Sequence, residues 1–63
     1  MIKLKDVDFI APCSTAPELT GIHFKNGTVI WFDAHVCVTI NKTTVKNGEE
    51  ITIPDGAEIW IEE

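Results

Sequence analysis

Between Thr20 and Val45 the chain alternates with a period of two. Ile22, Phe24, Ile30, Phe32, Val36, Val38 and Ile40 share one parity, while His23, Trp31, Asp33, His35, Cys37 and Thr39 hold the other. A period of two is the mark of a half-buried strand, whose successive side chains point to opposite faces. Val, Ile, Thr, Phe and Trp dominate these runs, and turn residues recur every ten positions or so. No stretch sets apolar residues at helical spacing between helix caps. Helix has a claim only over one turn near Ser14 to Leu19, where Ser14 or Thr15 could cap and Pro17 could fill the first turn.

Lys25-Asn26-Gly27, Lys46-Asn47-Gly48 and Pro54-Asp55-Gly56 each place glycine third. That order suits a three-residue hairpin loop, a type I turn whose glycine takes positive φ. A two-residue Asn-Gly turn competes at the first two sites, and register decides, because a one-residue slip sends every side chain to the other face. With three-residue loops Phe24 pairs with Thr28, and Ile53 pairs with Ala57. Ile22, Phe24, Ile30 and Phe32 then share a face, as do Ile51, Ile53, Ala57, Ile59 and Ile61.

Strands are thus predicted over 2–10, 19–25, 28–33, 35–40, 43–46, 49–54 and 57–62. The run from Thr28 to Ile40 is long for one strand, so it should break near Asp33-Ala34 and serve two sheets. In the first strand Val7 and Phe9 fall out of step with Ile2 and Leu4, and a bulge near Lys5-Asp6 would restore the register. The expected fold is all-β: one domain over 1–63, a small antiparallel barrel or sandwich of about six short strands in a meander. The expected interior is Leu4, Val7, Phe9, Ile22, Phe24, Ile30, Phe32, Ala34, Val36, Val38, Ile40, Val45, Ile51, Ile53, Ile59 and Ile61.

Size narrows the function. A domain of 63 residues buries only about 60% of its unfolded surface. A core plus a deep substrate pocket of roughly 300 Å³ or more is hard to fit, which argues against an enzyme. The longest mostly apolar run, Val29 to Ile40, falls well short of the ~20 residues of a spanning helix and carries Asp33 and His35. The N-terminus, with Lys3, Lys5, Asp6 and Asp8, lacks the apolar region of a signal peptide. A cytoplasmic protein is expected, with Cys13 and Cys37 as reduced thiols.

The net charge of −5 is uneven. Residues 1–46 hold five lysines and four acids, whereas Glu49, Glu50, Asp55, Glu58, Glu62 and Glu63 follow with no base. Direct nucleic-acid binding would need a basic patch. The acidic end could meet a basic protein or serve only solubility.

Chemistry is sparse. Cys13, His23, His35 and Cys37 are ligand types for zinc, and His35 and Cys37 share a strand face. Their spacings match no paired-knuckle pattern, so they are weak candidates and no metal or other cofactor is expected. Cys13 with a histidine could form a nucleophile and base, but no third orienting group or oxyanion hole is evident. The glycines fit hairpin turns better than a phosphate loop.

More telling is the outward parity. It shows Trp31, Asp33 and His35 beside His23, and places Trp60 between Glu58 and Glu62, opposite Glu50. Tryptophan is enriched at interface hot spots. The leading expectation is a protein-binding or assembly module, able to self-associate, docking through Trp31, Asp33, His35, Glu50, Glu58, Trp60 and Glu62. The alternatives are an acidic inhibitor presenting carboxylates to a basic protein in place of phosphates, and a small Cys/His metal protein.

Overall fold

The computed structural model describes residues 1–62. Among them lie eight short strands and no helix: β1 (Ile2–Leu4), β2 (Val7–Pro12), β3 (Thr20–Phe24), β4 (Val29–Phe32), β5 (Cys37–Ile40), β6 (Thr43–Val45), β7 (Ile51–Thr52) and β8 (Ile59–Glu62). They form two antiparallel four-stranded sheets, ordered β1-β8-β5-β6 and β4-β3-β2-β7, and no closed barrel. The single turn of helix expected after Ser14 is instead a tight loop. Its hydrogen bonds run from the Leu19 N–H to the Ala16 carbonyl (2.8 Å) and from the Cys13 N–H to the Leu19 carbonyl (2.9 Å).

The β3–β4 hairpin follows the glycine-third reading. Phe24 N–H donates to the Thr28 carbonyl at 2.8 Å, and Gly27, at φ 92°, donates back to Phe24 at 3.0 Å. Only glycine enters this region without strain from a Cβ. At Lys46–Glu49 and Pro54–Ala57 the expected turn is shifted by one residue: Gly48 and Gly56 stand third of the four residues, not last as Gly27 does, and each turn is closed by an N–H to carbonyl bond of 3.2 Å from the residue after the glycine. These two turns do not join paired strands, however. β7 pairs with β2, while β8 inserts between β1 and β5. The expected hairpin of residues 49–54 with 57–62 is therefore absent, and the meander is confined to β2-β3-β4. Between two neighbours Ile59 pairs with both Leu4 and Ile40, a deeper burial than an edge hairpin offers.

The chain changes sheet between β4 and β5, as the long run predicts. Asp33 makes the corner: its carboxylate accepts the His35 N–H at 2.9 Å, and its carbonyl accepts the Val36 N–H at 3.2 Å. The chain also changes sheet at Lys5-Asp6, where Asp6 takes φ 61°, a region aspartate tolerates better than most side chains. A crossing thus replaces the expected bulge there. The register shift comes later, between Val7 and Phe9.

That delay reverses one parity. Ile10 is wholly buried, whereas Phe9, expected inside, is 37% exposed. Ile30, on the edge strand, and Ala34, in the crossing, are exposed as well. The buried cluster draws Val7, Ile10, Ile22 and Phe32 from one sheet and Val38, Val45 and Ile59 from the other. Thr20, also fully buried, accepts the Gly48 N–H at 3.1 Å and so ties the β6–β7 turn to β3; a buried hydroxyl left unpaired would be costly.

Residues 9 and 10 give a direct check. Ile10→Ala should cost about 2–5 kcal/mol of unfolding free energy, a large share of the stability of so small a domain. Phe9→Ala should cost clearly less despite removing the larger side chain. Urea titrations of both variants measure this, and a larger loss from Phe9→Ala would refute the inward placement of Ile10.

Candidate functional site

The strand order sets three neighbouring residues on the side of β2-β3-β4 away from the core. Phe9 pairs with His23 and His23 with Val29, while Ala11 pairs with Gly21 and Gly21 with Trp31. The His23 ring stacks on Phe9 with centroids 4.1 Å apart and planes 12° apart. It meets Trp31 edge-on at 6.1 Å and 78°. The result is a continuous aromatic strip, with Trp31 48% exposed.

Gly21 makes room for it. A Cβ at this position would lie 2.7 Å from Trp31 Cζ3 and 3.2 Å from His23 Nε2. The indole therefore lies across bare backbone, which is why Gly21 is buried although its strand face is the outer one. An aromatic ring covering a cross-strand glycine restores packing that the missing side chain would have supplied. Gly21 and Phe9 escaped the sequence reading. The signal for Gly21 was present, because the register that pairs Phe24 with Thr28 also pairs Gly21 with Trp31. Phe9 could not be found without locating the bulge.

The other expected site residues scatter. Asp33 and His35 occupy the β4–β5 crossing, and the Asp33 carboxylate is engaged in the turn. Trp60, on β8, is half-buried and faces away from the Ile59 and Ile61 side of its strand. Lys3 sits 6.0 Å from its ring centroid, and its Nε1 donates to Glu58 at 3.4 Å. Glu62 pairs across the sheet with Cys37. Glu50 precedes β7 in the other sheet, so it is not opposite Trp60. The expected row of Glu50, Glu58 and Glu62 needed the missing hairpin, and the row fails with it.

The four thiol and imidazole groups are likewise dispersed: Cys13 in the β2–β3 loop, His23 in the aromatic strip, His35 in the crossing and Cys37 against Glu62. No group of three or more His, Cys, Asp or Glu among the described residues is placed to hold a metal ion. Cys13 has a distinct local environment. Its sulfur lies 3.4 Å from the Thr15 hydroxyl. This hydrogen bond, helped by the backbone of Thr15 and Ala16, lowers the thiol pKa from its ordinary 9.0, against the raising effects of burial and Glu18.

An open cleft of about 340 Å³ lies at the first sheet crossing, where Lys3, Lys5 and Lys25 alternate with Asp6, Asp55 and Glu58. Its charges balance, and its lining has neither histidine nor cysteine. No helix among the described residues is long and apolar enough to cross a membrane. No family model matches the chain, and no curated protein or solved structure compared with it matches either.

Two measurements address these environments. In a Trp60→Phe background, Gly21→Ala should push the Trp31 ring outward and shift its fluorescence to the red; an unchanged spectrum would contradict the seating of the ring. In a Cys37→Ser background, Cys13 should alkylate faster at neutral pH than an unstructured cysteine. Thr15→Val removes the largest pKa-lowering influence, so it should raise the pKa, reduce the thiolate fraction and slow the reaction. A pH–rate profile indifferent to Thr15 would exclude the hydrogen bond.

Proposed function

We propose that the chain is a non-catalytic protein-binding module that docks through the surface centred on Trp31. The observation that carries this reading is the exposed Phe9–His23–Trp31 strip. Its rings are held by one another and by the bare backbone at Gly21. Aromatic side chains whose positions are already restrained lose little rotamer freedom on binding, so more of their buried area appears as affinity.

On this reading the two sheets are the layers of a small sandwich. One outer face carries the aromatic strip. The other presents Trp60 between Glu58 and Glu62, a rim suited to basic residues of a protein partner. The partner is a protein of the cytoplasm, and neither nucleic acid nor membrane is engaged. Dispersal of Glu50 from Glu58 and Glu62 removes the geometric support for a phosphate mimic, and dispersal of the Cys and His side chains does the same for a metal protein.

The test is an affinity capture from host extract, followed by titration of each retained protein. Trp31→Ala should weaken binding by at least about 30-fold, the scale of a hot-spot truncation. A bait that retains nothing specific, or partners bound equally by the Trp31→Ala protein, would refute the proposal.

A further inference from the structure

The two sheets have four outer edges, and three of them are protected. β1 has three residues with Lys3 at its centre; β6 shows two exposed threonines and runs into Lys46; β7 has two residues and is soon followed by Pro54. Short length, lysine and proline are the usual devices that prevent edge-to-edge pairing. β4, the longest of the four at four residues, has neither lysine nor proline. Val29, Ile30, Trp31 and Phe32 are all apolar, and their pairing with β3 runs without a register shift.

The ladder shows which backbone groups this edge leaves open. Phe24 N–H donates to the Thr28 carbonyl, so Phe24 and Thr28 form a hydrogen-bonded pair. Such pairs alternate along an antiparallel ladder. Ile22 with Ile30, and Thr20 with Phe32, are therefore bonded pairs as well. The N–H and C=O groups of Val29 and Trp31 then point away from β3, toward the open edge.

We propose that this edge pairs with the same edge of a second copy of the chain, antiparallel and centred on Ile30. The proposal rests on the reading of the Trp31 surface as a binding face and names its partner. In this register Val29 of each copy exchanges hydrogen bonds with Trp31 of the other, so every open group of both strands is satisfied. Ile30, 39% exposed at the margin of the core, meets its own counterpart. On the outer face each indole gains a valine as cross-strand neighbour, which extends the aromatic strip across the seam.

The register favours a second copy as the occupant. The open groups are the N–H and C=O of Val29 and of Trp31, and antiparallel pairing about Ile30 matches each of them with one on the same short apolar edge of a copy, with none left over. Lys25, ion-paired with Asp55 at 3.8 Å, and Asp33, engaged in its own turn, take no part. A two-fold arrangement uses one patch twice and closes on itself, so it yields a dimer and not a fibre.

Sedimentation equilibrium over two decades of concentration, up to millimolar, should show the mass rising from 7.0 kDa to twice that value. Over the same range the Val29 and Trp31 amides should become protected from hydrogen exchange. Val29→Pro removes a donor that the β3–β4 ladder does not use, so it should abolish the dimer while leaving the strand signal in circular dichroism intact. Val29→Lys should do the same by adding an edge lysine. A mass of 7.0 kDa throughout, or a dimer whose Val29 and Trp31 amides still exchange freely, would overturn the proposal even if Val29→Pro fails to fold. Were the mass to stay at 7.0 kDa while Trp31-dependent capture of another protein persisted, the dimer would fall and the binding-module reading would stand.

Discussion

The structure depends on sharing one apolar cluster between two small sheets. Neither sheet has enough buried surface to be stable alone, and a few strands with one covered face are close to the minimum that persists in water. The chain therefore crosses between the sheets four times: at Lys5-Asp6, at Asp33–Val36, between Val45 and Ile51, and between Thr52 and Ile59. Each crossing trades a local strand pair for burial of Ile10, Ile22, Val38 or Ile59 in the common cluster.

That trade shapes the surface. Because β8 is drawn between β1 and β5, Trp60 is flanked by Lys3 and Thr39 and reaches its own neighbour Glu58. Because β4 is left at an edge, Trp31 has a strand on one side only and seats itself over Gly21. The two tryptophans begin with the same outward parity, yet one is half-covered and the other open. The difference comes from strand order, not from the residues near either indole.

The crossings themselves are made by short-range chemistry. Asp33 turns the chain with its own side chain, and Asp6 accepts a left-handed backbone. Gly48 is pinned by the hydroxyl of buried Thr20. Polar residues that could pass for a functional acid cluster are thus partly spent on corners: the Asp33 carboxylate is engaged in its own turn, and the aromatic strip stands apart from it.

Much of this was legible in the chain itself. Period-two alternation set the β class, the Gly27 turn set the β3–β4 register, and the length of the Thr28–Ile40 run announced a crossing. All three are local, since they depend on backbone sterics and side-chain parity within a few residues. The partners of β7 and β8, the displaced bulge that turned Phe9 outward, and the separation of Glu50 from Glu58 and Glu62 were decided only in the folded molecule. In the sequence a glycine that will take positive φ marks a turn equally well whether that turn joins paired strands, as at Gly27, or spans two sheets, as at Gly48 and Gly56. The choice between them is made by burial among residues distant in sequence, such as Ile59 against Leu4 and Ile40.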